Sequence, residues 1–107
     1  MRLKNRIVMS DPEKFKQICQ EVIQMTPKID EGGVWYIYNY KLKNGLLMDI
    51  EFYPPMSYSV VDRKYNGVFY ISIGPEGAWS DEKVLKRKHA YTFKQFIKFL
   101  IKALNEN

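Results

Sequence analysis

Between residues 34 and 53, two runs rich in aromatic and β-branched side chains flank the dipeptide Asn44-Gly45. That arrangement constrains the fold more than any other feature of the chain. A tight hairpin turn needs positive φ at its centre, which Asn and Gly accept most readily, and the flanking runs suit a pleated, half-buried surface. The pattern predicts a strand from Val34 to Leu42, a turn, and a strand from Leu46 to Tyr53 stopped by Pro54-Pro55. A lone hairpin is marginal in water, so its apolar side must find a cover.

Candidate covers lie at both ends of the chain. Ser10-Asp11-Pro12-Glu13 is a helix-start signal. Either Asp11 caps, with Pro12 at the first helical position, or Ser10 caps and Glu13 completes a capping box. Phe15, Ile18, Cys19, Val22 and Ile23 then recur at the spacing of one helical face, and Pro27 should end the helix near Met25. Thr92, with Gln95 as its capping partner, opens a last helix. Phe93, Phe96, Ile97, Leu100, Ile101 and Leu104 give that helix a broad apolar face, with Lys94, Lys98 and Lys102 in a row on the other side.

A second hairpin is expected from about Tyr58 to Lys64 and from Val68 to Ile73, turning at Asn66-Gly67. A two-residue turn there would set Phe69 and Ile71 opposite Lys64 and Asp62, mixing core and charge. A three-residue loop over Tyr65-Asn66-Gly67, the preferred reading, pairs Val61 with Ile71 and Arg63 with Phe69. Gly74-Pro75-Glu76-Gly77 breaks the sheet, a short helix is expected over Asp81 to Lys88, and residues 3–9 could add a strand. Strands segregated between helices read as α+β. The expectation is one α+β domain spanning 1–107: helix, antiparallel four- to five-stranded sheet built from two hairpins, and C-terminal helix. Both helices should pack on the sheet face of Trp35, Ile37, Ile50 and Phe52. A competing layout, one helix on each face, would bury the tyrosines of the other side.

Composition narrows the function classes. The chain has 107 residues, of which 46% are hydrophobic and 27% charged, a globular balance. One Cys and one His exclude an internal disulfide, a multi-Cys zinc site and a His-based metal cluster. No apolar run reaches the roughly 18 residues of a membrane span, and the basic Met1-Arg2-Leu3-Lys4 start leads into no signal-peptide core. A cytoplasmic protein with no cofactor and no membrane contact is the expectation. The net charge of +5 is uneven. Residues 7–82 hold seven basic and eleven acidic side chains, whereas residues 83–107 hold seven basic ones against Glu106 alone.

A two-residue turn at Asn44-Gly45 sets Tyr40 opposite Asp49, Tyr38 opposite Glu51 and Tyr36 opposite Tyr53. Six residues then share one face: Tyr36, Tyr38, Tyr40, Asp49, Glu51 and Tyr53. They read either as ordinary cross-strand pairs or as a binding surface, since Tyr supplies large contact area at low entropy cost. Asp49 and Glu51 could in principle serve as an acid–base pair, but no pocket is apparent around them. Trp79, in a Gly/Pro loop with acidic neighbours, is a further candidate anchor or a plug at the core edge. Lys86, Arg87 and Lys88, with Tyr91 and the row Lys94, Lys98 and Lys102, form the alternative site, a track for a nucleic-acid backbone or simply a solvated basic face. Cys19 reads as a core residue, and His89 has no visible catalytic partner. No phosphate-binding loop, dinucleotide fingerprint or metalloprotease motif occurs, so the chain reads as a non-enzyme.

The order of elements resembles a known family. A first helix ending in Met25-Thr26-Pro27, an aromatic strand Trp35-Tyr36-Ile37-Tyr38 and a strand ending Phe52-Tyr53 are similar to the YezG/EsaG-type immunity family, over residues 15–53. Small phage-encoded inhibitors of bacterial defence share the general look. The resemblance implies a bacterial or phage inhibitor that binds and neutralises a protein partner, a toxin or effector enzyme. The lack of catalytic motifs and the tyrosine–carboxylate face add the expectation that it acts by steric occlusion. The oligomeric state is not legible.

Overall fold

The structure, a computed structural model, describes residues 10–55, 67–75 and 83–106. Helix α1 runs from Asp11 to Ile23. Ser10 is its N-cap: the hydroxyl accepts from the Glu13 N–H at 3.3 Å, and the Glu13 carboxylate reaches back to the Ser10 N–H. Of the two starts the sequence allows, the capping box is therefore the one used. Gln24 turns left-handed at φ 54° and ends the helix two residues before Thr26, the residue that Pro27 restricts.

Among the described residues, five antiparallel strands follow in simple succession: β1 (Lys28–Ile29), β2 (Trp35–Lys41), β3 (Leu47–Tyr53), β4 (Val68–Gly74) and β5 (Lys86–Ala90), each hydrogen-bonded to the next. Two expectations are corrected here. Phe69 and Ile71 pair with Phe52 and Ile50 on one side and with Ala90 and Lys88 on the other, so the pairing to Arg63 and Val61 does not hold. Residues 58–64 and 3–9 lie outside the described residues. The short helix over Asp81 to Lys88 is also overturned for its second half: Lys86, Arg87 and Lys88 are strand, held by their ladder to β4. Only Ala90 of β5 is buried, so apolar alternation could not announce it.

Helix α2 spans Phe93–Glu106. The Thr92 hydroxyl accepts from the Gln95 N–H at 3.1 Å, and the Gln95 side chain accepts from the Tyr91 N–H at 3.0 Å. Both helices lie on the same sheet face, as the ring contacts require. Phe15 of α1 stands 5.0 Å from Phe52 and 5.5 Å from Phe96 of α2, and Phe69 stacks 4.8 Å from Phe96. Ile37, Met48, Ile50, Phe52, Phe69 and Ile71 complete the core, with Trp35 partly buried against it. The layout with one helix on each face is thereby excluded. Cys19 is fully buried in this core, and burial pushes its thiol up to about 12. The fold class is α+β. Among the described residues, no helix is long and apolar enough to cross a membrane.

Candidate functional site

The face of the sheet away from the helices is set by the register of β2 on β3, and that register departs from the simple turn. The Leu42 N–H donates to the Leu46 carbonyl at 2.8 Å, and the Gly45 N–H donates to the Leu42 carbonyl at 2.9 Å. The loop is thus three residues, Lys43-Asn44-Gly45, with Gly45 at φ 90° closing it. The Asn44 side-chain oxygen accepts the Leu46 N–H at 3.0 Å.

A second shift occurs within the strand. Tyr40 pairs with Met48 and Ile37 with Ile50, so Tyr38 and Asn39 together oppose Asp49. This is a β-bulge, with Asn39 at φ 63°. Its Asn39 N–H is taken by the Asp49 carboxylate at 2.7 Å, and Asp49 is only 1% exposed. The extra residue inverts the alternation beyond it. Tyr40, expected beside the other tyrosines, instead lies on the helix side and packs against the core. Asp49, expected at a surface, is an internal acceptor that satisfies backbone. The six-residue face is corrected accordingly, because one inserted residue turns every later side chain over.

What remains on the open face is coherent. Tyr36 and Tyr38 rings lie 4.6 Å apart, and the Tyr38 hydroxyl donates to the Glu51 carboxylate at 2.5 Å. Burial, with the Glu51 hydrogen bond and the charges of Glu51 and Asp49, holds the Tyr38 phenol well above its ordinary pKa. Tyr53 is shifted the same way, by burial first and then by Glu51. Strand β4 adds Tyr70 opposite Glu51 and Ser72 opposite Asp49. Strand β5 adds His89 opposite Tyr70 and Arg87 opposite Ser72. The Tyr70 ring meets Tyr53 edge-on at 5.3 Å and His89 edge-on at 4.7 Å, while Arg87 Nε donates to Ser72 Oγ at 3.1 Å. Glu51, Tyr53, Tyr70, Ser72, Arg87 and His89 enclose a shallow cavity of about 220 Å³.

Tyr70, Ser72 and His89 are the members that sequence reasoning missed. The alternation of Val68, Tyr70 and Ser72 with Phe69, Ile71 and Ile73 does carry the signal. The Asn66-Gly67 turn signal masks it, because a hairpin with the preceding segment gives β4 a different neighbour from β3, beside which it lies. Trp79 lies outside the described residues.

Of the basic residues of the alternative site, Lys86, Arg87, Lys88 and Lys102 are brought together around one groove. Lys86 and Lys88 pair with Ile73 and Ile71 and point to the helix side. Arg87 and His89 lie on the open side. Lys102 meets Glu106 at 3.9 Å, and Glu106 also meets Lys86 at 3.7 Å. Lys94, Lys98 and Tyr91 are exposed along or just before α2. Among the described residues, no group of three His, Cys, Asp or Glu side chains could hold a metal.

Set against protein-family models, curated proteins and solved structures, the chain finds no match.

Proposed function

We propose that this protein is a non-catalytic binding module that neutralises a protein partner, in the manner of an immunity protein, by laying the open face of its sheet over the partner's working surface. One observation carries the reading. Tyr36, Tyr38, Tyr53 and Tyr70 stand around Glu51 on adjacent strands, while α1 and α2, the helices among the described residues, occupy the other side of the sheet. Tyrosines on a rigid ladder offer broad amphipathic contact at little entropic cost, and aromatic residues of this kind dominate binding hot spots. Glu51 gives the patch a polarity that selects a basic or hydroxyl-bearing group on the partner.

The test starts from a partner captured from the native host and then purified. The wild-type chain should bind it and block its activity at one-to-one stoichiometry. The double variant Tyr36→Ala/Tyr70→Ala should bind at least about 30-fold more weakly, as loss of a 2 kcal/mol hot spot implies, with an unchanged circular dichroism spectrum. Equal affinity of variant and wild type would move the interface off this face.

A nucleic-acid-binding role for the basic C-terminal third is the second reading. It draws on Lys86, Lys88 and Lys102 converging on one groove. Gel shifts with DNA and RNA that weaken steeply with salt would support it.

A further inference from the structure

The positions of β5 that face the helices are Lys86, Lys88 and Ala90, because they pair with Ile73, Ile71 and Phe69 on the core face of β4. A strand residue on that side ordinarily fills the layer between sheet and helix and is apolar. Ala90 does this and is buried, whereas the other two positions hold lysines with exposed side chains. On α2, Phe99, Lys102, Ala103 and Glu106 follow one another at intervals of three and four residues and share one face. Between these lysines and that face the layer is not filled. A groove of about 430 Å³ remains, lined by residues of β4, β5 and α2.

Its lining divides sharply. Ile71, Ile73, Phe99 and Ala103 are apolar, and the long stems of the lysines add to them. The charged heads meet groups at the groove rather than spreading into water. Lys86 and Lys102 reach the Glu106 carboxylate at 3.7 and 3.9 Å, and the Lys88 ammonium lies 5.8 Å from the centre of the Phe99 ring. The groove already holds a carboxylate between two ammonium groups beside an apolar surface. Both ion pairs join half-exposed side chains and are weak, so a carboxylate from outside displaces Glu106 at small cost.

Two properties narrow the occupant. The volume falls within the range of small-molecule sites. Among the described residues, no hydroxyl or carboxamide side chain lines the groove. A sugar or a nucleobase carries a mixed set of donors and acceptors that lysines match poorly, and such groups are costly to leave unmet. An apolar chain with one anionic end leaves nothing unmet.

We propose that this groove binds a free medium-chain carboxylate. The chain lies against Ile71, Ile73 and Phe99, and the carboxylate takes the place of Glu106 between Lys86 and Lys102. The site is on the helix side of the sheet and does not rest on the reading of the tyrosine face.

Octanoate, decanoate and octanol, each kept below the concentration at which it aggregates, are titrated against the full chain by calorimetry at low salt. Decanoate should bind saturably at one site, about three- to tenfold tighter than octanoate, for its two added methylenes. Octanol should bind about threefold more weakly than octanoate or worse, having no charge for the lysines. Glu106→Gln removes the competing carboxylate and should tighten decanoate about two- to threefold. Lys86→Met/Lys102→Met keeps the stems and should weaken it about fivefold. If that variant fails to fold, Glu106→Gln and the chain-length series still decide the matter. Amide resonances of residues 86–88 and 99–106 should move during the titration. Equal affinity for octanoate and decanoate, or for octanoate and octanol, would overturn the inference. So would a Glu106→Gln variant that binds decanoate no better than wild type. Cosedimentation with phosphatidylglycerol vesicles without binding of monomeric decanoate would also overturn it, by making the lysines a membrane contact.

Discussion

The two faces of the sheet solve different problems with the same strands. The helix side is apolar and closed: Phe15, Phe52, Phe69 and Phe96 touch one another and are fully buried. Burial alone orders it. The open side is polar and half-exposed, and its order comes from particular hydrogen bonds: Asn39 to Asp49, Tyr38 to Glu51 and Arg87 to Ser72. Stability should therefore reside on one face and recognition on the other. Large truncations behind the sheet should unfold the chain, whereas truncations in front should leave the fold and remove contacts.

The sharpest way to break that contrast is Phe15→Ala. Phe15 is the one aromatic residue of α1, and it ties that helix to β3, β4 and α2 at ring separations of 5.0, 6.2 and 5.5 Å. Its removal should cost about 3–5 kcal/mol in urea unfolding, a large part of what a domain of this size possesses. Tyr36→Ala, on the open face, should cost far less. Comparable losses from the two would mean that the faces do not divide the work.

Next in size is Asp49, which lies on the open side yet is only 1% exposed, beside the likewise buried Ser72. Asp49→Ala leaves the Asn39 N–H without its acceptor and should cost about 1–3 kcal/mol. Asp49→Asn keeps an acceptor oxygen and should cost less. Hydrogen exchange at the Asn39 amide should quicken in the alanine variant and stay slow in the asparagine one. An equal response to both would place the effect in the charge of Asp49 rather than in its hydrogen bond.

The same contrast explains what could be read from the sequence. The helix-side pattern was legible because apolar periodicity is a repeated signal: Phe15 to Ile23, Ile50 with Phe52, and Phe93 to Leu104 all fall where periods of 3.6 and 2 require. The open side depends on register, and register turned on two single residues. Gly45 closes a three-residue loop instead of a two-residue one, and Asn39 opens a bulge. The presence of Asn in the middle of Tyr38-Asn39-Tyr40 was the available warning, since Asn accepts left-handed backbone far better than the aromatics beside it. Strand β5 was hidden for a different reason. Its charged side chains carry no burial pattern, so the fact that β4 has a neighbour on its far side is a tertiary fact that no local signal reports.

Asn39 itself offers the third test. Asn39→Gly should leave stability nearly unchanged, because Gly takes φ 63° freely. Asn39→Val sets a β-branched side chain in left-handed backbone and should cost about 1–2 kcal/mol. If the valine variant is as stable as wild type, the strand has slipped back to unbulged pairing. Tyr40 would then turn to the open face, and its fluorescence would become more accessible to an added quencher.

The smallest effect expected is that of Tyr38→Phe, which keeps the ring and removes the hydroxyl that donates to Glu51. Glu51 is half-exposed and water can replace the lost donor, so the cost near neutral pH should be about 0.5–1.5 kcal/mol. The consequence for pH is more telling. Burial and Glu51 raise the Tyr38 phenol above its ordinary value of 10.0, so the folded chain holds this proton more tightly than the unfolded chain does. The stability that difference supplies is complete below pH 10.0 and is lost as pH climbs from there toward the folded-state value. Tyr53, raised in the same direction, adds to the loss. Wild type should therefore lose stability more steeply than Tyr38→Phe between about pH 9 and about pH 11, the range in which an ordinary tyrosine ionises. Urea midpoints of the two proteins should converge as pH rises. Parallel midpoints across that range would show that Tyr38 titrates as it does in the unfolded chain, and would remove the Tyr38–Glu51 hydrogen bond from the account of the open face.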